Sequence, residues 1–311
     1  MSEELLIEPT LRSDLLAGQV AIVTGGARGI GGAAATMLAA NGAQVVVAEV
    51  DGPKAEQTVT TLNEQFGPGS ATAFVTDLVA TGACDALVAA ALESYGRLDI
   101  VVNNAGYAWD GGIHAMSDEQ FQAMLDIHLV VPFRLARACA PVFRDAFEAD
   151  QRTGERRARK TVMVSSLAAQ WGLVGGGNYA SAKAGMLGLM RTLAQEWGRF
   201  GVNVNAVAFG VIQTRFGLPQ SEHEVIETGG RTIHVGMPAK QAARMGVQVD
   251  PDRVFTDSEI YRTRSVPHIP LGRSGSIREA ADAIFWLCSP LSDYVTGQVV
   301  AVNGGARGGM S

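Results

Sequence analysis

The chain has 311 residues, of which 47% are hydrophobic and only 18% are charged, which excludes a protein that is disordered throughout. Its net charge of −6 argues against a nucleic-acid-binding protein, which would need a basic face. The three well-separated cysteines show no metal-ligand spacing. The acidic N-terminus does not look like a signal peptide, and no stretch approaches the ~20 apolar residues of a membrane span. We therefore expect a cytoplasmic protein with no metal, nucleic-acid or membrane partner.

Short apolar runs alternate with longer helical patterns from residue 19 onward, which is typical of a parallel sheet covered on both faces. We predict an α/β fold of the doubly wound, Rossmann type, in which residues 12–311 form one domain behind an N-terminal arm of residues 1–11. The mixed charges of Arg144–Lys160 indicate a solvated helix end and loop. The predicted strands are Gln19–Val23, Val45–Ala48, Thr72–Val75, Ile100–Val102, Thr161–Val164, Asn203–Val207 and Gln298–Val302, and the predicted helices include Gly31–Ala40, Asp85–Tyr95 and Asp118–Phe147.

A glycine-rich turn joins the first strand to the first helix. Glycines at such a turn allow a pyrophosphate to approach the helix N-terminus, although many turns use glycine only for its backbone freedom. Glu49, at the end of the next strand, can accept hydrogen bonds from the ribose hydroxyls of a dinucleotide. The turn consists of Thr24, Gly25, Gly26, Ala27, Arg28, Gly29, Ile30 and Gly31.

The Gly-x-x-x-Gly-x-Gly spacing of this turn resembles that of the short-chain dehydrogenase/reductase family. Within the family, the chain looks most similar to 3-oxoacyl-thioester (acyl-carrier-protein) reductases, and the resemblance covers about residues 15–306. Further matching motifs are Asp77-Leu78, Asn103–Gly106, Ser166, Tyr179 with Lys183, Tyr294–Gln298 and Asn303–Gly305.

The resemblance implies further cofactor contacts. It assigns Asp77 and the backbone of Leu78 to the adenine, and the strand end at Asn103–Gly106 to the floor beneath the adenosine. Taken alone, Asp77 is equally a turn residue and Asn103–Gly106 an ordinary strand end. The full predicted cofactor set is Gly25, Arg28, Gly29, Ile30, Gly31, Glu49, Asp77, Leu78, Asn104, Ala105, Gly106, Tyr179, Lys183, and Ile212 and Thr214 at the nicotinamide.

Tyr179 and Lys183 lie four residues apart at the start of a helical pattern, so they share one helix face. A cation about 4 Å away contributes roughly 4 kcal/mol at an effective dielectric near 20, which predicts a tyrosine pKa lowered by about three units, to near 7. Ser166 follows the strand Thr161–Val164, where its hydroxyl can bind a substrate oxygen; the family spacing selects it over Ser165. The alternative is an ordinary surface Tyr–Lys pair.

The chain departs from the family at His128, where an asparagine commonly supports a water relay to the lysine. The histidine could offer its backbone carbonyl to that water, join the relay through its imidazole, or only pack. We include it among the predicted catalytic residues with Ser166, Tyr179 and Lys183. A second departure is Phe209-Gly210, where the family usually has Pro-Gly.

Substrate specificity is expected from three segments at the carboxyl edge of the sheet: Tyr107–Ile113, Leu167–Gly177 and the insertion Arg215–Pro270. The insertion lacks the apolar periodicity of an independent core, so we predict a mobile substrate lid; the alternative is a permanently packed excursion. Aromatic side chains in or beside these segments could line an apolar pocket or only pack the loops: Trp109, Trp171, Phe209 and Phe216.

We predict an NAD(P)-dependent oxidoreductase that interconverts a secondary alcohol and a ketone, with Tyr179 as general acid/base. Glu49 favours NAD over NADP, whereas Arg28 is the feature that favours NADP. The resemblance implies a homo-oligomer, either a dimer or a tetramer. The alternative function is a nucleotide-sensing or interaction protein on the same scaffold, which a turnover assay would distinguish. A sugar-nucleotide epimerase fits poorly, because those relatives resemble Gly-x-x-Gly-x-x-Gly.

Overall fold

A computed structural model of the chain describes residues 14–154, 157–214, 225–234 and 269–306. Seven parallel strands form one sheet in the order β3-β2-β1-β4-β5-β6-β9, and the remaining two pair antiparallel in a hairpin. This arrangement confirms the predicted α/β fold of the doubly wound type. The strands are β1 (Val20–Thr24), β2 (Gln44–Glu49), β3 (Ala71–Val75), β4 (Ile100–Asn103), β5 (Arg159–Ser166), β6 (Val202–Phe209), β7 (Val225–Thr228), β8 (Arg231–His234) and β9 (Val299–Val302).

Helices cover both faces of the sheet, and each face has its own apolar core. One core packs α1, α2 and α8 against the sheet, and the other packs α3, α5 and α7. No helix among the described residues is long and apolar enough to cross a membrane. The helices are α1 (Gly29–Ala40), α2 (Gly52–Phe66), α3 (Ala83–Tyr95), α4 (Asp118–Leu125), α5 (Val131–Thr153), α6 (Ala168–Trp171), α7 (Gly177–Trp197) and α8 (Ile277–Cys288).

The sheet order reverses between β1 and β4, because the chain leaves β3 at one edge and returns beside β1. Ligands of open parallel sheets bind at the carboxyl ends of the strands at such a point. The glycine turn follows β1 and Asn104 follows β4, so the fold brings both predicted cofactor motifs to this crevice.

Two sequence predictions differ from the structure. The predicted helix Asp118–Phe147 is divided, since a π-helical segment at Asp126–Val130 separates α4 from α5. The run Arg144–Lys160 does not end in a solvated loop, because both Arg159 and Lys160 are buried at the start of β5. Carboxylates reach them: Asp150 pairs with Arg159 at 2.9 Å and Asp293 pairs with Lys160 at 2.6 Å. Asp150 lies within the same run, whereas Asp293 is 133 residues from Lys160, too far for local charge patterning to indicate it.

The described part of the insertion consists mainly of the β7–β8 hairpin, Val225–His234. The hairpin is packed against the body of the domain, with Thr228 and Ile233 buried. These ten residues are packed in the structure, and the mobile substrate lid stays a prediction. The rest of the predicted lid, including Phe216, and the predicted arm of residues 1–11 lie outside the described residues.

Candidate active site

Thr24 fastens the carboxyl ends of β1 and β4 together. Its hydroxyl accepts hydrogen bonds from the backbone N–H groups of Asn104 (2.9 Å) and Ala105 (3.0 Å) and donates to the Val102 carbonyl (3.2 Å). The Asn104 side-chain amide donates in return to the carbonyls of Thr24 and Gly25. The floor predicted beneath the adenosine is thus held directly against the glycine turn.

The glycines of the turn serve different purposes. Gly25 has φ +61°, and a Cβ there would lie 2.9 Å from the Cα of Ala105. A Cβ on Gly31 would lie 2.1 Å from the Gly25 carbonyl oxygen, so packing of the turn excludes any side chain. Gly29, with φ +56°, faces open space instead. Helix α1 begins there without a side-chain cap, which leaves its first N–H groups for a ligand; a dinucleotide pyrophosphate fits this site.

Three charged residues lie near the end of β2. Glu49 is half-buried, and its Oε1 accepts from the backbone N–H of Val50 at 3.0 Å. The Arg28 guanidinium forms an ion pair with Asp51 across the turn. Asp51 also caps α2 by accepting from the Lys54 N–H at 3.1 Å, so its carboxylate is fixed in place. The positive charge that favours a 2′-phosphate is therefore paired with a carboxylate.

The remaining predicted cofactor residues occupy two ends of the crevice. Leu78 is buried next to Asp77, whose carboxylate accepts hydrogen bonds from the β7–β8 hairpin. At the other end, Ile212 forms a backbone bridge with Gly275 and packs with the core beneath the glycine turn. Thr214 is half-buried two residues farther along, where the described segment ends.

The predicted catalytic residues come together at the end of β5 and the start of α7. Ser166 neighbours Tyr179, and its hydroxyl acts to lower the pKa of the tyrosine. Ser165 points away from them and donates to the Lys183 carbonyl at 3.3 Å, as expected from its alternate position on the strand. The backbone N–H of Tyr179 is held by Asn178, whose buried amide also binds the carbonyls of Trp109 and Gln120.

Lys183 is almost completely buried, with 3% of its surface exposed. Its ammonium donates to the Val164 carbonyl at 2.6 Å and lies 5.7 Å from the centroid of the Tyr179 ring. Burial lowers the pKa of this lysine to about 7, because the charged form loses its hydration.

Burial raises the pKa of Tyr179 to about 12; the neighbouring Ser166 hydroxyl opposes the rise and the nearby Asp110 charge adds to it. The expected lowering to near 7 is therefore wrong for this geometry. That expectation counted the attraction of a nearby ammonium but not the desolvation of the phenolate. In addition, the Lys183 ammonium lies near the face of the Tyr179 ring and donates to the Val164 carbonyl. Tyr179 is consequently protonated at neutral pH, which suits a general acid.

His128 lies in the π-helical segment and contacts both the predicted floor and Tyr179. Its Nε2 donates to the Tyr107 carbonyl at 2.8 Å, and its ring meets the Tyr179 ring edge-on with centroids 5.1 Å apart. A Cβ on Gly106 would lie 2.2 Å from its Cε1. Burial, together with the Lys183 charge, holds the pKa of His128 well below its usual range. The imidazole is therefore neutral, and its buried Nδ1 has no hydrogen-bond partner among the described residues.

Asp110 is a site residue that the sequence analysis missed. Its Oδ1 is buried without a hydrogen-bond partner in the described part of the chain, and burial raises the pKa of its carboxyl to about 6. The Gln120 amide donates to the Asp110 carbonyl at 3.4 Å and the Gly111 N–H donates to the Gly175 carbonyl at 2.8 Å, so the peptide that follows Asp110 is held at both its polar atoms. Its presence in the loop Tyr107–Ile113 was the available signal, but a single aspartate among glycines reads as a turn residue.

Comparison with known proteins identifies the family. The family model described as "short chain dehydrogenase" matches residues 19–224, and one described as "Enoyl-(Acyl carrier protein) reductase" matches residues 250–307. A 3-oxoacyl-(acyl-carrier-protein) reductase of Vibrio cholerae is 31% identical over 290 residues, covering 93% of this chain and 98% of the relative. The short-chain reductase NovJ of Streptomyces niveus is 34% identical over 286 residues, covering 92% and 93%. This chain belongs to the short-chain dehydrogenase family.

A solved structure supports the same assignment. It is an NADPH-bound short chain oxidoreductase from Pseudomonas aeruginosa, described as containing an atypical catalytic center, with a TM-score of 0.72, 28% identity, and coverage of 94% of this chain and 98% of the other. This short-chain dehydrogenase is thus an NAD(P)-dependent oxidoreductase acting on a small-molecule substrate. The described residues contain no cluster of three or more metal-ligating side chains.

The contacts of His128 predict a measurable role in positioning. His128→Phe keeps a ring beside Tyr179 but removes the donor to the Tyr107 carbonyl. We expect kcat/KM for carbonyl reduction to fall about tenfold, which corresponds to about 1.4 kcal/mol, the scale of one buried hydrogen bond. His114→Phe changes an exposed histidine nearby and should leave kcat/KM unchanged. Wild-type kinetics in His128→Phe would show that the imidazole only fills space.

Proposed function

We propose that this protein reduces the ketone of a 3-oxoacyl thioester, or of a similar apolar carbonyl compound, to a secondary alcohol. The observation that carries the proposal is the placement of Ser166 and Tyr179 beside the buried Lys183, whose ammonium lies 5.7 Å from the centre of the Tyr179 ring. Bound NAD(P)H supplies the hydride that adds to the carbonyl carbon. The chain's own residues bind the carbonyl oxygen and provide the proton.

The roles of the three side chains follow from their environments. Ser166 lies at the carboxyl end of β5, where its hydroxyl donates to the substrate oxygen. Tyr179, protonated because burial raises its pKa to about 12, donates its proton to the same oxygen. The charged form of Lys183 then stabilises the phenolate that is left.

The surroundings of Tyr179 support a neutral, apolar substrate. Ile113, Trp171 and Val174 are exposed apolar side chains on the flanking segments, and Ile113 lies beside Gly177, two residues before Tyr179. The nearby Asp110 carboxyl disfavours an anionic group close to the tyrosine hydroxyl. A thioester satisfies both conditions, and the Vibrio cholerae relative is a reductase named for such a substrate. Nothing in the described residues or the comparisons favours the nucleotide-sensing alternative.

A homo-oligomer and a cytoplasmic location remain predictions. Exposed Phe121 on α4 and Phe133 on α5 support an oligomer, because a subunit contact would cover large apolar side chains. The location rests on the sequence argument alone.

The first test is Tyr179→Phe, which removes only the hydroxyl. With a 3-oxoacyl thioester as substrate, we expect kcat to fall about a hundredfold or more, because the proton donor is lost, while nicotinamide binding stays nearly intact. Tyr294→Phe, which changes a fully exposed tyrosine, is the matched control and should behave as wild type. Near-normal turnover in Tyr179→Phe would refute the proposed mechanism.

We further propose that the preferred cofactor is NAD(H). Glu49 and Asp51 place two carboxylates beside the expected ribose position, and Asp51 neutralises Arg28. With Arg28 paired to Asp51, the Glu49 carboxylate would repel a 2′-phosphate. The Pseudomonas aeruginosa neighbour carries NADPH, so the family fold itself does not decide between the two cofactors.

The ratio of kcat/KM for NADH to that for NADPH tests this preference. We expect a ratio of at least about ten, the equivalent of 1.4 kcal/mol of charge repulsion. Asp51→Asn keeps a capping oxygen for α2 but removes the charge paired with Arg28, so the ratio should fall severalfold. Glu56→Gln removes an exposed charge from the same helix and should leave the ratio unchanged. A wild-type preference for NADPH, or a ratio insensitive to Asp51→Asn, would contradict the assignment.

A further inference from the structure

The β7–β8 hairpin is a well-defined unit within the insertion. Its four cross-strand pairs run from Val225 with His234 to Thr228 with Arg231. The turn between them is Gly229-Gly230, with φ +58° and +73°, the left-handed conformation that tight hairpin turns require. The tip of the hairpin is therefore fixed in shape by its own sequence.

The tip is bonded to Asp77 rather than to the substrate end of the site. The Thr228 hydroxyl donates to Asp77 Oδ1 at 2.8 Å, and the Gly229 backbone N–H donates to Asp77 Oδ2 at 2.6 Å. Both bonds go to a charged acceptor, the strong class of hydrogen bond. A Cβ on Gly229 would lie 3.5 Å from Val79, so the turn also rests on the loop that follows Asp77.

Arg231 attaches the same hairpin to α4 and to the π-helical segment, on the side of the crevice opposite Asp77. Its guanidinium lies 3.2 Å from Glu119 on α4 and 3.6 Å from Asp126 in the π-helical segment. Thr228 is only 5% exposed and Ile233 only 1% exposed, so the hairpin bridges the two walls and buries apolar surface between them.

Asp77 is the residue that the family resemblance assigns to the adenine, and the hairpin uses about half of its hydrogen-bonding capacity. A carboxylate accepts about four hydrogen bonds. Three are present, from Thr228, Gly229 and the Val79 N–H at 3.1 Å. The turn thus lies against the position that the resemblance assigns to the adenine edge.

We propose that the turn Thr228–Arg231 forms the outer wall of the adenine subsite, and that Thr228 and Gly229 position the Asp77 carboxylate for the adenine amino group. This part of the insertion then serves the dinucleotide instead of the substrate. Dinucleotide binding and hairpin docking stabilise each other, because both depend on the same carboxylate orientation. The inference concerns binding alone, so it stands or falls independently of the proposed substrate.

Calorimetric titration with ADP-ribose, which contains the adenosine half of the cofactor, tests the proposal without turnover. Thr228→Val removes one hydroxyl with little change of shape, and we expect the Kd of ADP-ribose to rise about five- to tenfold. Thr232→Val is the matched control, since its hydroxyl donates to Glu227 within the exposed part of the same hairpin, and its Kd should be unchanged. An unchanged Kd in Thr228→Val overturns the proposal, and a tighter Kd shows that the hairpin competes with the adenine.

Hydrogen exchange gives a second readout that a general loss of stability in the variant would not reproduce. In the wild-type protein, ADP-ribose should slow amide exchange in residues 225–234 severalfold, because the docked hairpin is stabilised by its neighbour. Hairpin exchange that does not respond to ADP-ribose would place the turn outside the adenine subsite and overturn the proposal.

Discussion

The burial of the Lys183 ammonium beneath the Tyr179 ring is the constraint on which the rest of the site depends. A buried ammonium loses its hydration, and here the Val164 carbonyl at 2.6 Å is its closest compensation. The same dry environment raises the pKa of Tyr179 to about 12 and lowers that of Lys183 to about 7. The tyrosine is thereby kept as a proton donor, and the lysine is poised to become charged when the phenolate forms.

Two regular spacings produce this arrangement: the alternation of side chains along a strand and the four-residue repeat along a helix face. On β5, neighbouring serines point to opposite faces, so Ser165 binds the α7 backbone while Ser166 reaches Tyr179. On α7, the four-residue spacing places Tyr179 and Lys183 on one face. The crevice between β1 and β4, closed by Thr24, lies at the same edge of the sheet. Cofactor and catalytic residues therefore meet although they come from distant parts of the chain.

Most of the correct predictions from the sequence, namely the strands, the catalytic residues and the glycine turn, depended on local patterns. Each of the seven predicted strands overlaps a strand of the parallel sheet, because apolar runs between turn signals are local features. The predicted catalytic serine, tyrosine and lysine are brought together because fixed spacings on a strand and a helix determine where those side chains point. The glycine turn was predictable for the same reason, since its geometry depends on residues within one segment.

Effects that depend on distant residues were not predictable. The direction of the Tyr179 pKa shift requires the extent of burial, which spacing does not reveal. The partners of Asp77 come from a hairpin about 150 residues later in the sequence, and the Asp293 partner of Lys160 lies 133 residues away. The π-helical segment inserts an extra residue into an otherwise continuous amphipathic pattern, so the sequence reads as one helix. It coincides with His128, in keeping with the frequent occurrence of such segments at functional sites.

Direct titration of Tyr179 tests the central claim that burial, and not the lysine charge, controls its ionisation. The chain has five tyrosines, so NMR of protein labelled with carbon-13 at tyrosine Cζ gives few signals, and Tyr179→Phe assigns the relevant one. For the protein without added ligand, we expect the Tyr179 signal to stay that of a phenol up to about pH 10, where an ordinary tyrosine is half-ionised. Half-ionisation near pH 7 would contradict it and would show that the Lys183 ammonium outweighs desolvation.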